Sequence, residues 1–407
     1  MPRSEPVPEV TDAKAPPAHI ERRLRVLLVG PFPPTRGGTT TFLLNLLASP
    51  LGERVAFLPF TTSRPPKEAV ADNWGYGTLL HGGVRRSLGA VGMTLWHLLT
   101  FPLAVIGREA DLVHVNASDY LVFWESLAYC LMAQILGRRV VMRLGGSFNL
   151  FYERSSPRMQ RLIRWALQRP ERLVVQSHSW QAYVARLGRG DGVVVLPNFV
   201  DPALLRDVPP PAQRDGIPTC LFLVGNESTL KGFHVFCEAV PRVRADACYR
   251  LLALPPQLAP KLSRTMGERP YEHSGYLDHD EVVAAMRQAD IFLLPSLAEG
   301  FPNSLLEAMA CSLPVVVSAV GAIPEVVEEG RGGEVVEAGD AAALAAAIDR
   351  LAADPALRWR MGQANRERVR ERFTPEAALA ALETAYRELC PELGSALTGA
   401  PSPNGRS

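Results

Sequence analysis

Short, almost continuously apolar runs recur along the chain and alternate with longer segments of helical periodicity. Such runs are found at 25–30, 54–60, 111–116, 139–144, 172–176 and 193–196, and again at 220–224, 250–254, 291–294, 314–318 and 334–336. Strands buried on both faces of a parallel sheet have this composition, and the helical segments between them supply the crossovers. The pattern therefore predicts an α/β protein.

The amphipathic segments predict the helices. They cover 40–48, 120–136, 152–168, 179–187, 281–288, 304–310 and 340–352, with a further helix from 233 and a last one from 374 to 389. A Pro-rich stretch at 202–218 separates the two halves and is typical of a stiff linker. We predict a disordered leader at 1–24, a first domain at 25–205, a linker at 206–218, a second domain at 219–373, a C-terminal helix at 374–390 and a disordered tail at 391–407.

One predicted helical segment carries no formal charge for 20 residues, from 88 to 107, and follows Arg85 and Arg86. Its length is borderline for a membrane span, but Gly, Thr, His97 and Pro102 dilute its apolar character. We therefore favour a helix that is buried on the sheet or lies on a bilayer.

Four arginines follow at helical spacing. Arg154, Arg158, Arg161 and Arg164 are three or four residues apart and predict a basic stripe along one helix. Such a stripe is either a solvated helix face or a contact for an anionic surface, and the sequence leaves both interpretations open.

The composition is that of a soluble globular protein of 407 residues, with 47% hydrophobic residues, 21% charged residues and a net charge of +1. Residues 1–210 hold 24 Lys and Arg against 16 Asp and Glu, whereas residues 211–407 hold 19 against 26. Either chance or a basic first domain that faces an anionic acceptor or membrane explains this difference. Six scattered cysteines without a C-x-x-C pair predict a reducing compartment and no zinc site. The first 24 residues contain no apolar h-region, so we predict no signal peptide.

The stretch from 291 to 327 carries the strongest chemical signal. It predicts a strand, a loop, a helix and a second strand, and ligands of such βαβ units bind at the carboxyl ends of the strands. Glu299 and Glu307 would flank this site, with Asn303 and Ser304 at the N-cap of the helix and Glu307 directed away from the core. Backbone N–H groups favour an anion and carboxylates favour hydroxyl groups, so the site suits a sugar nucleotide. Two solvated glutamates beside an ordinary crossover are the alternative.

The residue order P-S-x-x-E-G-F-P-N-S-L-L-E-A-M-A, followed by P-V-V and G-A-I-P-E, closely resembles the signature of the family 4 retaining glycosyltransferases. The two glutamates of the family pattern fall on Glu299 and Glu307, while Ser312 and Ala322 replace its usual glycines. The resemblance implies the GT-B fold, in which two Rossmann-like domains face each other across a cleft. It also implies that Glu299 holds hydroxyls of the donor sugar and Glu307 those of the ribose. The other residues of the implied donor loop are Gly300, Phe301, Pro302, Asn303, Ser304 and Leu305.

Two more segments of the second domain resemble the family. The order G-N-E-S-T-L-K-G at 225–232 is similar to G-R-L-x-x-x-K-G, whose Arg and Lys hold the donor diphosphate. Gly225 and Lys231 are retained, but Asn226 stands at the Arg position, so the resemblance implies that Lys231 and backbone amides bind the phosphates. The order H-S-G-Y-L is similar to a segment that lines the nucleotide base. This segment adds Gly275 and Tyr276.

The first domain resembles the family more loosely. The loop P-F-P-P-T-R-G-G matches P-x-P-x-x-G-G, which implies that Gly37 and Gly38 lie in the cleft near the acceptor. Gly145 and Gly146 match a second cleft loop, in which Leu144 replaces a histidine that many members carry. The order P-N-F-V-D at 197–201 is similar to the family's P-N-G-V-D at the end of the first domain. In this fold the last helix crosses back to the first domain.

The resemblance implies a retaining glycosyltransferase that moves a sugar, expected to be a hexose, from a nucleotide-sugar donor to a lipid-linked or glycan acceptor. Polysaccharide or glycolipid biosynthesis is the expected context. Glu299 and Lys231 are the implied catalytic residues, with no metal and no other cofactor. The expected location is the cytoplasm, with a peripheral position at the inner face of the membrane as a further candidate. An anionic membrane surface is a further candidate partner, and no nucleic acid is expected.

Three alternatives can be weighed on the sequence. An inverting enzyme of this fold would carry a catalytic histidine soon after the first strand, and none of the eight histidines lies between 20 and 80. A phosphorylase is disfavoured because no lysine of the second domain has a cofactor-like setting. A non-catalytic sugar-nucleotide-binding protein stays open, since Asn226 and Leu144 depart from the family. Turnover would separate this last alternative from the enzyme.

Overall fold

A computed structural model gives the architecture and describes residues 22–35, 37–63, 83–146, 148–205, 216–225 and 228–391. Between 83 and 91 it describes the backbone alone. The predicted leader, linker and tail lie almost entirely outside the described residues, and so do Asn226 and the side chains of Arg85 and Arg86.

Six parallel strands form the first sheet, in the spatial order β2-β1-β3-β4-β5-β6. They are β1 Leu24–Gly30, β2 Val55–Thr61, β3 Leu112–Ala117, β4 Arg139–Leu144, β5 Arg172–Val175 and β6 Val193–Val195. Helices cover both faces, which explains the continuous apolar runs; every residue of β3, for example, is buried.

Seven helices accompany this sheet in the described part of the chain. They are α1 Gly38–Ala48, α2 Leu51–Arg54, α3 Gly83–Gly107, α4 Tyr120–Ile135, α5 Phe148–Glu153, α6 Pro157–Leu167 and α7 His178–Arg186. The helices α3 to α7 share one face of the sheet, where one cluster contains Phe101, Phe123, Phe148, Ile163 and Trp180. The helices α1 and α2 pack on the other face.

The single helix predicted over 152–168 is wrong, because α5 and α6 are two helices. Ser156 is the N-cap of α6 and accepts a hydrogen bond from the backbone N–H of Met159, and Pro157 occupies the first turn. Arg154 therefore lies before this helix, and only Arg158, Arg161 and Arg164 belong to it.

The second sheet also has six parallel strands, in the order β12-β11-β10-β7-β8-β9. They are β7 Thr219–Leu223, β8 Cys248–Leu252, β9 Tyr271–His273, β10 Ile291–Leu294, β11 Val315–Ser318 and β12 Gly333–Val336. The helices of this half are α8 Phe233–Ala239, α9 Ala259–Met266, α10 His279–Gln288, α11 Asn303–Ala310, α12 Ile323–Val326, α13 Ala341–Ala353, α14 Pro355–Arg372 and α15 Pro375–Leu389. Two parallel α/β sheets confirm the predicted fold class.

The last helix, α15, packs on the first sheet although it follows the second one in the chain. Its residues Leu379, Leu382 and Tyr386 lie in one cluster with strand residues of β1. Burial and the nearby charge of Arg143 lower the pKa of His114 to about 3, so its ring is neutral. His114 Nδ1 lies 2.5 Å from the hydroxyl of Tyr386 and can accept its hydrogen bond.

Two ion pairs fasten the rim of α15. Arg54 pairs with Glu383 at 2.8 Å, and Arg172 pairs with Glu388 at 2.9 Å. The last helix is therefore part of the first domain, and apolar contacts, a buried hydrogen bond and two ion pairs hold it there.

The uncharged segment forms most of α3, which packs on the sheet through the buried side chains of Phe101 and Val105. Pro102 lies inside this helix. None of the helices in the described ranges combines the length and the apolar character that crossing a bilayer requires.

Candidate active site

The loops after β7 and β10 are joined to each other at the carboxyl edge of the second sheet. The backbone N–H of Leu297 donates to the carbonyl of Leu230 at 2.7 Å. Gly232 has φ +75° and presses on the carbonyl of Pro295, where a Cβ atom would come within 1.8 Å of the oxygen. A side chain at 232 would therefore push the loops apart, and the glycine keeps the neighbouring Lys231 next to the second loop.

Glu299 and Lys231 meet where these loops join. Glu299 Oε1 accepts hydrogen bonds from Lys231 Nζ and from Ser296 Oγ, both at 2.7 Å. Because the Glu299 side chain is only 10% exposed, its negative charge needs a partner at close range, and Lys231 supplies it. Since no donor of the described residues bonds to Oε2, that oxygen can receive one from a bound ligand.

Glu307 lies on α11, and its environment corrects the prediction that it points away from the core. From Leu305 to Ala310 every residue of this helix is buried, because α10 and α14 pack against it. Burial raises the pKa of the Glu307 carboxyl, while His279, with Nδ1 at 4.0 Å, acts to lower it. The Glu307 carboxylate is therefore an enclosed hydrogen-bond acceptor with the imidazole of His279 beside it.

Asn303 is not the N-cap of the signature helix, as the sequence predicted, but its first residue. The N-cap is Pro302, which supplies no side-chain hydrogen bond. The amide of Asn303 reaches across the cleft instead: its Nδ2 donates to the carbonyl of Gly38 at 3.2 Å, and its Oδ1 accepts from Asn198 Nδ2 at 2.6 Å. The start of α11 is thus fixed by the first domain.

Asn198 is the centre of these interdomain contacts. Its Oδ1 accepts from Arg143 Nη2 at 2.6 Å and from Gln176 Nε2 at 3.3 Å. Its Nδ2 donates to the carbonyl of Phe301 at 2.9 Å and to Asn303. The amide uses its full hydrogen-bonding capacity, and it joins β4 and the end of β5 to the donor loop. We call these five residues the Asn198 network.

Arg143 brings a buried charge into this network. Its guanidinium lies over the ring of Phe42, 3.7 Å from the centroid, and burial lowers its pKa to about 9. Asn198 is its hydrogen-bond acceptor, and no carboxylate of the described residues pairs with it. Asn198 therefore stabilises a desolvated cation as well as the donor loop.

The glycines that were predicted to line the cleft lie close to the donor loop. Gly300 touches the first domain, since a Cβ atom there would come within 3.0 Å of the carbonyl of Gly146. Gly38 contacts Asn303 as described, and Gly145 and Gly37 adjoin these positions in the chain. The structure thus brings the four predicted cleft glycines to the side of the donor loop.

The remaining predicted donor residues are spread along the strand ends of the second sheet. Gly225 follows β7 and faces open space, and the carbonyl of Gly275 accepts a hydrogen bond from Ala253 just after β8. Tyr276 is exposed. Phe301 and Leu305 have buried side chains. The other helix-start residues are Pro302 and Ser304.

Glu325, in the quoted G-A-I-P-E segment, makes a second bridge between the domains. Its carboxylate accepts from the backbone N–H groups of His178 and Ser179, at 2.9 and 2.6 Å, at the start of α7. Burial acts to raise the pKa of Glu325, but the hydrogen bonds from Ser179 and His178 outweigh it, so the pKa lies below its usual value. The carboxylate also complements the helix dipole.

Sequence reasoning assigned no role to Asn198, Arg143, Gln176, Ser296 or Glu325. The segments P-N-F-V-D and G-A-I-P-E were the available signals for Asn198 and Glu325. Arg143, a charged residue inside an apolar strand, was a third signal, because an unpaired buried cation needs an acceptor nearby.

A cavity of about 990 Å³ lies between β6 and α15, beside the Asn198 network. Gln176, Phe301 and Glu325 line it, but Lys231 and Glu299 do not, so it is separate from the predicted catalytic pair. In the described ranges no group of three or more His, Cys, Asp or Glu side chains is placed to hold a metal ion.

We expect Asn198→Ala to lower the free energy of unfolding by about 1–3 kcal/mol, because it leaves the buried guanidinium of Arg143 without its acceptor. Chemical denaturation measures the change. The control is Asn45→Ala, which removes one bond, from Nδ2 to the carbonyl of Phe199 at 3.2 Å. Equal losses in the two variants would contradict a special role for Asn198.

Two family models match the chain. The one described as Glycosyltransferase Family 4 matches residues 36–204, and the one described as Glycosyl transferases group 1 matches residues 218–354. Together they cover most of both halves of the chain.

Curated relatives are similar over part of the chain. An N-acetyl-alpha-D-glucosaminyl L-malate synthase of Bacillus anthracis is 28% identical over 293 residues, which make up 69% of this chain and 76% of that protein. A phosphatidyl-myo-inositol mannosyltransferase of Mycobacterium leprae is 34% identical over 189 residues, or 44% of this chain and 50% of that protein.

Solved structures are similar over nearly the whole chain. A sucrose-phosphate synthase from Thermosynechococcus elongatus has a TM-score of 0.71 at 20% identity and covers 91% of this chain and 100% of its own. HepE of Anabaena, solved in complex with UDP and glucose, has a TM-score of 0.67 at 18% identity and covers 92% of this chain and 100% of its own. These likenesses show that the two sheets form the predicted GT-B fold. With both family models on the same two halves, the chain belongs to the family 4 glycosyltransferases.

Proposed function

We propose that this protein transfers a sugar from a nucleoside diphosphate donor to an acceptor hydroxyl with retention of the anomeric configuration. The observation that carries the proposal is the contact of Lys231 with Glu299, 2.7 Å long, at the strand ends of the second sheet. A cation for phosphate and a carboxylate for hydroxyl groups are the two functions that a sugar nucleotide requires at one point.

The residues around this pair suggest a division of labour. Glu299 would accept hydrogen bonds from the hydroxyls of the sugar, and the enclosed Glu307 those of the ribose. Lys231 and the backbone N–H groups at the start of α11 would hold the diphosphate as its bond to the anomeric carbon breaks. The acceptor oxygen forms the new bond to the anomeric carbon and gives its proton to the departing diphosphate. We assign no nucleophile to a side chain.

Relatives support the choice of substrates. HepE is solved with UDP-glucose, and the Mycobacterium leprae relative is named as a phosphatidyl-myo-inositol mannosyltransferase. We therefore extend the proposal to a nucleotide-sugar donor and a lipid-linked or glycan acceptor, used in the cytoplasm at the inner face of the membrane. No metal or other cofactor is part of the proposal.

The alternative is a sugar-nucleotide-binding protein of the same fold without catalysis. Leu144 at the position of a family histidine is the observation in its favour. It is the weaker candidate, since the named relatives are synthases and transferases.

The test is incubation of the purified protein with a panel of nucleotide sugars and a measurement of nucleoside diphosphate release. We expect release with one donor or a few, faster when membrane lipid or glycan extract is added. The anomeric proton coupling of the product in NMR then reports its configuration. Binding of a donor without turnover under all conditions would favour the binding protein, and a product of inverted configuration would exclude retention.

A further inference from the structure

The outward face of α3 is apolar. In this helix Phe101 and Val105 face the sheet, and the large exposed side chains on the opposite side are all apolar among its described residues. These are Leu95, Trp96, Leu99, Leu103 and Ile106, which we call the α3 stripe. Trp96 is 62% exposed and Leu99 is 72% exposed, so the stripe is a surface and not part of the core. Surface helices ordinarily carry polar residues on this side.

Two other helices that share this face of the sheet also expose apolar side chains. Leu121 and Val122 are exposed in the first turn of α4, which packs beside α3. On α6, Leu162 and Trp165 are exposed as well. An apolar surface of this extent is unusual for a monomer in water and indicates an interaction site.

Charge identifies the partner. Arg158, Arg161 and Arg164 of α6 are exposed, and no carboxylate of the described residues pairs with them. From 92 to 107 the described part of α3 has no charged residue. Exposed aromatic and leucine side chains beside unpaired arginines match a bilayer with anionic headgroups, which offers apolar chains and negative charge at the same boundary.

The position of the surface relative to the cleft favours the same partner. Leu121 and Val122 follow the carboxyl end of β3, and a Cβ atom on Gly146 of the cleft loop would come within 3.0 Å of Ser118 Oγ. The surface therefore reaches the mouth of the cleft. An acceptor whose lipid stays in the bilayer could enter the cleft there without leaving the membrane.

We propose that the α3 stripe, the first turn of α4 and the arginines of α6 form a docking surface for an anionic bilayer. The apolar side chains enter the headgroup boundary and the arginines contact lipid phosphates. The docking surface would give the enzyme access to a lipid-linked acceptor, and only this purpose rests on the proposed function. Vesicle binding itself is measured without any sugar.

The experiment is co-flotation of the protein with phosphatidylcholine vesicles and with phosphatidylcholine vesicles that contain phosphatidylglycerol. We expect binding to the anionic vesicles, weakened by salt. Trp96→Ser with Leu99→Ser should weaken it by about tenfold or more, since burial of such side chains is lost. Arg158→Glu with Arg161→Glu should do the same, because each arginine near an anionic leaflet contributes about 1 kcal/mol, or roughly fivefold.

Matched controls come from the second half of the chain. Ile217→Ser with Trp359→Ser removes two exposed apolar side chains, and Lys261→Glu with Arg264→Glu reverses two exposed charges. Neither control should change vesicle binding. If the wild-type protein binds neither kind of vesicle at low salt, the proposal is overturned.

Two other outcomes would also overturn it. If Trp96→Ser with Leu99→Ser lowers Tm as a core substitution does, another part of the chain covers the stripe. If these variants turn a dimer into a monomer in sedimentation equilibrium and leave vesicle binding intact, the surface joins two copies. Release of nucleoside diphosphate from a soluble donor by the wild-type protein is measured in parallel. If that protein binds anionic vesicles but releases no nucleoside diphosphate, the proposed function alone is contradicted.

Discussion

Glu299→Gln is expected to lower kcat/KM for sugar transfer by two or more orders of magnitude, about 3 kcal/mol of transition-state free energy. The substitution keeps the shape of the side chain but removes the charge that faces Lys231 and Ser296. A neutral amide neither holds the lysine in place nor accepts sugar hydroxyls as strongly as a carboxylate. The measurement is initial rate against donor concentration at saturating acceptor.

The matched control is Glu334→Gln. Glu334 also pairs with a cation, Arg350, at 3.0 Å, and its side chain is 16% exposed, but it lies on β12 away from the two loops. We expect near wild-type rates in this variant and unchanged circular dichroism in both. Near wild-type rates in Glu299→Gln would contradict the assignment of Glu299 to the reacting sugar.

Lys231→Met should weaken nucleoside diphosphate binding by about ten- to a hundredfold, because a hydrogen bond to a charged group contributes about 1.5–3 kcal/mol. Methionine keeps most of the apolar stem while it removes the ammonium group. Since the sequence places Asn226 where the family has Arg, Lys231 is the only side-chain cation that this motif supplies. Calorimetry with a nucleoside diphosphate measures the change.

Lys261→Met is the control for this experiment, since Lys261 is an exposed lysine of α9 in the same half of the chain. Asn226→Arg provides a test in the opposite direction and should leave binding unchanged or tighten it. Normal binding by Lys231→Met would place the phosphates elsewhere.

Of the twelve strands that the structure describes, the sequence predicted eleven, because burial on both faces leaves an unambiguous apolar run, and it missed β9, whose Glu272 and His273 are exposed. The bounds of β4 and β10 agree with the prediction at both ends. The helix α14 was missed for the opposite reason. Arg358, Asn365 and Arg366 are buried in it and donate to backbone carbonyls, such as those of Leu313 and Ala310, so half of its six buried residues are polar. Periodicity of apolar residues cannot report a helix of this kind.

For the candidate site, too, the sequence predicted some features, whereas others are visible only in the fold. Lys231 and Glu299 were recognised one at a time by their motifs, and only the fold shows that residues 68 positions apart touch. Asn303 illustrates the limit of local rules, because a good N-cap residue makes its hydrogen bonds with the other domain. Asn198 was overlooked because its importance depends on partners from several elements at once.

The packing of α15 on the first sheet has a consequence for biosynthesis. The ribosome completes the first sheet long before it makes residues 375–389, yet Leu382 and Tyr386 of that segment pack on one face of the sheet, and Tyr386 bonds to Nδ1 of His114. Until they arrive, the nascent first domain exposes part of its interior. Folding of the first domain therefore cannot finish until residues 375–389 have left the ribosome, although the strands of its sheet are made much earlier.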